Sequence, residues 1–169
     1  MSRDEDFTAY MSGRWATLVR SAVLLGCAQP DAEDVVQTTL ARCYVAWPKV
    51  ERAGNRDAYV YRVLVNALTD SRRRHWWREQ PTPSLPEDAD PLDPLSEVDV
   101  TDAVERALSG LSHEHRIVVV LRFYAHLTEQ ETADSLGIAV GTVKSRTSRA
   151  LAKLAGSEHL ADTADGKTP

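Results

Sequence analysis

Apolar residues recur along this chain at helical rather than strand spacing, and each recurring set predicts one helix of an all-α protein. Phe7, Tyr10, Met11, Leu18, Ala22 and Leu25 mark the first, over 7–25, where Gly13 weakens the pattern and predicts a bend or two shorter helices. Pro30 and Asp31 open the next, with Asp31 as its cap and Glu33 and Asp34 at the positive end of its dipole. Its buried stripe, over 32–47, is Val36, Leu40, Cys43 and Trp47; Pro48 ends it and leaves 49–55 as a loop. Over 55–77, Val60, Leu64, Ala67, Leu68 and Ser71 share one side, Arg62, Asn66, Thr69 and Arg73 the other, and Tyr59 the edge.

The pattern then stops. Between 79 and 97, Pro81, Pro83, Pro86, Pro91 and Pro94 forbid a continuous helix, and Glu87, Asp88, Asp90, Asp93 and Glu97 stand without a lysine or arginine among them. This acidic, proline-rich stretch reads as a flexible linker between two small helical domains, 1–78 and 98–155. Helical spacing resumes over Val100 to Leu111, with Thr101 as a cap, and over His113 to Tyr124, whose core is Ile117, Val118, Val120, Leu121 and Tyr124. So many β-branched residues lower intrinsic helicity, and packing must hold that segment. The tail, 156–169, is expected to be disordered.

The most specific local signals lie between Leu127 and Leu154. Thr128 and Glu131 have capping-box spacing, Ala133 and Leu136 give the following helix an apolar side, and Gly137 supplies the left-handed residue that ends it. Ile138 plugs the turn, and a second helix follows from about Gly141 to Leu154, so the unit reads as a helix-turn-helix. Stepping about 100° per residue places Val143, Thr147, Ala150, Leu151 and Leu154 on its packed side. Ser145, Ser148 and Arg149, flanked by Lys144 and Lys153, then face outward, and Arg146 lies near the packed boundary as a phosphate or structural residue. Short hydroxyls interleaved with cations suit a major groove, because the cations neutralise phosphates or fork onto guanine and the small side chains allow close approach. Ala139 occupies the place of a capping Ser or Thr, a loss on the order of 1 kcal/mol.

Charge changes this picture only through its distribution. The net charge is −5, yet the acid is concentrated in the middle while cations gather in the last helix and in Arg72 to Arg74, His75, Trp76, Trp77 and Arg78. Cations interleaved with aromatics can follow a phosphate backbone and stack unpaired bases, although tryptophans at a helix end are usually core or interdomain packing. No apolar run approaches the roughly 20 residues of a membrane span, and Asp4, Glu5 and Asp6 replace the basic start of a signal peptide, so a cytoplasmic protein is expected. Cys27 and Cys43 lack CxxC spacing and read as small buried hydrophobes. His113 and His115 do not form HExxH, no metal site or cofactor is expected, and no nucleophile, base and orienter assemble into an enzyme.

Three segments in this order carry a family resemblance: Asp31-Ala32-Glu33-Asp34-Val35-Val36-Gln37; Ala58-Tyr59-Val60-Tyr61-Arg62 with Asn66 and the arginine run; and Gly141-Thr142-Val143-Lys144-Ser145-Arg146. From Phe7 to Leu154 the chain resembles the extracytoplasmic-function sigma factors of bacterial RNA polymerase, group 4 of the sigma-70 superfamily, in their actinobacterial form. The resemblance implies that Asp34, Gln37, Thr38 and Arg42 dock on the clamp helices of the polymerase's largest subunit, with the flap as a second contact. It implies that Asn55, Arg56, Tyr59, Arg62, Asn66 and Arg73 read and open the −10 element as a single strand. Thr142, Lys144, Ser145, Arg146, Ser148, Arg149 and Lys153 would bind the −35 duplex, and the linker would thread toward the active-site and RNA-exit channels. It leaves room for an anti-sigma partner, which no residue identifies. The chain departs from the family at Thr38, where an acid is usual, at Ala139, where a cap is usual, and at Cys27, where an aspartate is common. The residues alone leave one alternative, a stand-alone helix-turn-helix regulator that grips a palindrome as a dimer.

Overall fold

A computed structural model of the protein describes the backbone of residues 1–78 and 97–165 and the side chains of 1–75 and 100–156. Ser2 and Glu5 start helix α1 (Arg3–Leu24) with a capping box, the Ser2 hydroxyl accepting from the Glu5 amide at 3.2 Å. The helix runs unbroken through Gly13, so the expected division does not occur. One glycine costs about 1 kcal/mol of helix propensity, which the burial of Leu18, Ala22, Val23 and Leu24 on the same helix outweighs.

Pro30 opens a helix as expected, though with another residue as its cap, and Pro48 opens one where a loop was expected. Helix α2 (Gln29–Val45) has Ala28 at its cap and Pro30 in its first turn, so Asp31 lies inside the helix and is not the cap. Pro48 likewise sits in the first turn of a short helix, α3 (Trp47–Arg52), where a loop was expected. In both places the ring's fixed φ suits the start of a helix, and the amide it lacks has no partner there anyway. Helix α4 (Arg56–Arg78) then crosses the module, begun by Asn55, whose Oδ1 accepts from the Ala58 amide at 3.2 Å.

Helices α1, α2 and α4 enclose Leu18, Val36, Leu40, Cys43, Val60 and Leu64, all nearly inaccessible to solvent. Trp47 seals one end, with Phe7 edge-on to it at 5.2 Å. The expected stripes of α2 and α4 are therefore the packed ones. Burial pushes the Cys43 thiol up to about 12, so it behaves as a small hydrophobe, while Cys27 is half-buried.

The stretch expected as a linker, 79–97, lies outside the described residues up to position 96, as do the side chains of Trp76 and Trp77. Helix α5 (Glu97–Ser109) starts at Glu97, four residues ahead of Thr101, which is inside the helix rather than its cap. Ser112 caps α6 (His113–Val119), and the chain continues into a π-helical turn at Val120–Tyr124, so the single helix expected there changes its winding midway. The two last helices are α7 (Glu129–Leu136) and α8 (Val140–Asp165). The backbone of α8 stays helical past position 156, where disorder was expected; Ala155, Glu158, Leu160, Ala161 and Ala164 are good helix formers.

Helix α8 packs on both α6 and α7 around Val118, Leu121, Leu127, Ala133, Val143 and Ala150. This second module is not separate from the first. Helix α7 lies against α4, the π-helical turn against α1, and the buried apolar cluster is continuous across the join.

Candidate nucleic-acid interface

The helix-turn-helix is built by the local devices its sequence spells. The Thr128 hydroxyl accepts from the Glu131 amide at 3.1 Å and Glu131 Oε2 accepts from the Thr128 amide at 2.8 Å. Gly137 has φ 64°, with its amide donating to the Ala133 carbonyl, and the Ile138 amide donates to the same carbonyl at 3.1 Å. An alanine at 137 would meet no neighbour, so the requirement for glycine there is one of backbone conformation alone. The amides of Thr142 and Val143 donate to the Ala139 carbonyl, which makes Ala139 the cap of α8 by backbone only.

This fixes the outward face of α8. Lys144, Ser145, Ser148, Arg149 and Lys153 are exposed, Thr142 is half-buried, and Val143 and Ala150 are fully buried. Leu151, expected on the packed side, is instead 43% exposed, while Leu154 is half-buried against the core. Two acids steer cations on or beside this face: Lys144 Nζ lies 3.7 Å from Glu129, and Arg146 Nη2 lies 3.4 Å from Glu114 on α6. Arg146, with its side chain 23% exposed, thus ties α8 to α6, as its boundary position suggests. The Ser145 hydroxyl turns back onto the Thr142 carbonyl at 3.1 Å.

The first module presents its candidate residues on one helix, but in two conditions. Arg62, Asn66 and Arg73 are exposed along α4, and no ion pair holds Arg62 or Arg73 among the described residues. Asn55, Arg56 and Tyr59, at the start of the same helix, are half-buried and engaged. Arg56 is held 3.2 Å from Asp6 and lies over the Trp47 ring at 5.7 Å. The Trp47 indole N–H donates to the other Asp6 oxygen at 3.0 Å. Burial alone would raise the Asp6 pKa; hydrogen bonds from Arg56 and Trp47 outweigh it and hold the carboxyl below its ordinary value. Asn55 Nδ2 donates to Glu131 Oε1 of α7 at 2.9 Å.

The arginine run divides as well. Arg73 and Arg74 are exposed, but Arg72 turns toward the second module, which corrects its reading as a phosphate contact. Its guanidinium lies 2.6 Å from His113 Nδ1 and 3.4 Å from the Leu25 carbonyl, and passes so close to Gly26 that a side chain there would sit 2.7 Å from it. Gly26 is required by its backbone, at φ 102°, whereas the guanidinium at the end of the flexible Arg72 side chain can shift. Sequence reasoning missed this role because the partner of Arg72 lies 41 residues away.

On α2, Asp34 and Gln37 are exposed and Thr38 half-buried, while Arg42 is paired with Asp70 of α4 at 3.0 Å. Among the described residues no group of acidic, histidine or cysteine side chains could hold a metal ion, and no helix is long and apolar enough to cross a membrane.

Comparison with known proteins accounts for both modules. Residues 7–78 match the profile described as Sigma-70 region 2, and residues 107–155 that of Sigma-70, region 4. The chain is 40% identical to the RNA polymerase sigma-E factor of Streptomyces coelicolor over 155 residues, 88% of this chain and 84% of that protein. It is 35% identical to the ECF RNA polymerase sigma factor SigM of Mycobacterium tuberculosis over 139 residues, 82% of this chain and 69% of the other. Among solved structures it is similar to the sigma factor RpoE in complex with the anti-sigma factor NepR from Bartonella quintana, with a TM-score of 0.74, 26% identity, and 89% and 94% of the two chains covered. The fold is also shared with CnrH, solved in complex with the cytosolic domain of CnrY, at a TM-score of 0.68 and 21% identity over 93% and 90% of the chains.

Proposed function

From the premise that this chain belongs to the ECF sigma factors, the non-catalytic subunits through which RNA polymerase starts transcription at specific promoters, we propose a division of the work among its surfaces. The exposed face of α8 enters the major groove of the −35 duplex: Lys144, Ser145, Ser148 and Arg149 lie toward the bases, and Thr142, Arg146 and Lys153 toward the phosphates. The start and outward side of α4 take the −10 element as a single strand, through Asn55, Arg56, Tyr59, Arg62, Asn66 and Arg73. Asp34, Gln37, Thr38 and Arg42 on α2 form the docking surface for the clamp helices of core polymerase, in the cytoplasm. Arg42 reaches that surface already oriented by Asp70.

The single observation that carries this reading is the outward face of α8, which gathers exposed cations and short hydroxyls directly after a capped, glycine-turned helix pair. The chemistry asked of the protein is non-covalent. Opening a duplex costs a few kcal/mol per unstacked base, and cations and an aromatic edge along α4 offset that cost by holding the separated strand. Polymerase makes the phosphodiester bonds.

The solved relative bound by an anti-sigma factor supports a regulatory partner of the same kind here, one that covers the docking or DNA faces. Run-off transcription with core polymerase on a library of candidate promoters tests the whole assignment. Promoter-specific transcripts that require the chain are the expected result. Tight binding of a palindromic duplex by the free chain, without retention on core polymerase, would overturn it in favour of a stand-alone regulator.

A further inference from the structure

The cations of α8 are not treated alike by the helices around them. Arg146 is held by Glu114 of α6 and Lys144 by Glu129 of α7, so each of the two helices packed on α8 brings one carboxylate to it. No ion pair holds Arg149 among the described residues. The two pairs also differ from each other. Arg146 is 23% exposed and sits at the packed boundary, whereas Lys144 and Glu129 are 62% and 40% exposed. An open pair of the second kind adds little to folding. What it does set is the place of the Lys144 ammonium, on the face proposed to enter the major groove.

Glu129 is available for this because its neighbour does the capping. The first turn of α7 carries two acids, Glu129 and Glu131. Glu131 closes the capping box with Thr128 and receives Asn55 on its other oxygen, while Glu129 turns across the helix-turn-helix toward α8. Helix α8 has no acid in its own first turn, and Ala139 caps it by backbone only, so its start is an uncompensated positive end that draws phosphate. Lys144 is the first cation of that helix, and beside it the Ser145 hydroxyl is turned back onto the Thr142 carbonyl. A flexible lysine left alone there goes to the phosphates, which are the same on every sequence.

We infer that Glu129 is a specificity-determining residue, which holds Lys144 off the phosphate backbone and reserves it for the edge of a guanine. The inference rests on the assignment of α8 to the −35 duplex. An ammonium has three protons, so Lys144 can leave one on Glu129 and give the others to guanine O6 and N7. The pair thus survives on a matching duplex. On a duplex without those acceptors only phosphates remain, and Lys144 reaches one by leaving the Glu129 carboxylate unpaired beside the charge of the DNA. The acid therefore costs little at the right site and disfavours the wrong ones.

Glu129→Gln keeps the size and position of the side chain and removes its charge. The full chain, assembled with core polymerase, is assayed on a promoter recovered from the run-off library and on copies with each −35 base pair replaced in turn. Preference for the matched promoter should fall about fivefold at one G·C pair, half the span expected of a single base contact. Binding to non-promoter duplex should tighten, with a log–log salt dependence steeper by about 1, as for one added phosphate contact.

Loss of any acid makes the chain more cationic, and a double-mutant cycle with Lys144→Ala separates that cause from the one inferred. In the Lys144→Ala chain, Glu129→Gln should move neither the preference nor the salt slope. Equal changes in both backgrounds would overturn the inference, as would an unchanged −35 preference in the Glu129→Gln chain. A lower melting temperature with equal loss of initiation on every template would also overturn it, by making Glu129 a support of the fold. Absence of any −35 preference in the unmodified holoenzyme would instead remove the assignment of α8 itself, and needs no variant to be seen.

Discussion

The start of α4 and the outer face of α8 are both read as DNA-contacting, and the fold treats them in opposite ways. On α8, Lys144 and Arg149 stand in solvent, Lys144 beside Glu129, while Arg146 is half-buried against Glu114. At the start of α4 two candidates have polar partners: Asn55 has Glu131, and Arg56 has Asp6 and lies over Trp47. A duplex presents its phosphates and groove edges without prior work, so a face that reads duplex can remain open. Farther along α4, Arg62, Asn66 and Arg73 stand in solvent, so only the start of that face is engaged.

The largest effect expected comes from Trp47→Ala. This residue is fully buried and also supports Asp6 and Arg56, and large-to-small replacement of such a side chain costs about 3–5 kcal/mol. Because the apolar cluster runs through both modules, a circular-dichroism melt of the variant should show one cooperative transition at lower temperature. Two separated transitions would show that the covered and open faces belong to independent units.

Next is Arg149→Ala, for which the loss of a base or phosphate contact is worth about 1–3 kcal/mol. Transcription from a fully duplex promoter should fall by roughly tenfold or more by that figure, and from a template already melted at −10 by much less. Equal loss on both templates would remove the contrast between the two faces.

Gly137→Ala should cost about 1–2 kcal/mol, since only the left-handed backbone is strained and no neighbour is struck. A drop in melting temperature with weaker duplex binding is the expected outcome, because the turn aims α8.

The smallest effect expected is that of pH on the join. Burial, then Arg72 and Arg116, lower the His113 pKa, against a smaller opposing effect of Glu114. A histidine whose folded value is depressed leaves stability intact above its ordinary value of 6.5 and takes stability away as the pH falls below it. Glu131, held below its ordinary 4.5, contributes stability that is present above that value and lost only as the pH falls through its lowered one. Exchange over 113–119, corrected for its intrinsic pH dependence, should therefore quicken from pH 6.5 downward, and His113→Asn should flatten that response.

Much of this protein is legible residue by residue. The capping box at Thr128 and Glu131, the left-handed Gly137 and the stripe of Val36, Leu40, Cys43 and Trp47 depend on neighbours within a turn or two, and local sterics and hydrogen bonding select them in almost any context. The outward set on α8 follows from the same 3.6-residue period, and the packed set fails at Leu151, where period implies burial but the side chain is exposed. Pro48, expected to end a helix, begins one, because the same residue can do either and only the backbone on either side decides which.

What tertiary structure alone decided is which polar side chains face one another across the join. Asn55 and Glu131 are 76 residues apart, and nothing local distinguishes an asparagine waiting for a base from one already satisfied by a carboxylate. Arg72 and Arg73 are chemically the same, yet one turn angle sends the first into the protein and leaves the second in solvent. Helix identity is settled by short-range free energies that sum along the chain, whereas the occupancy of a polar face depends on which distant surface the apolar cluster brings against it.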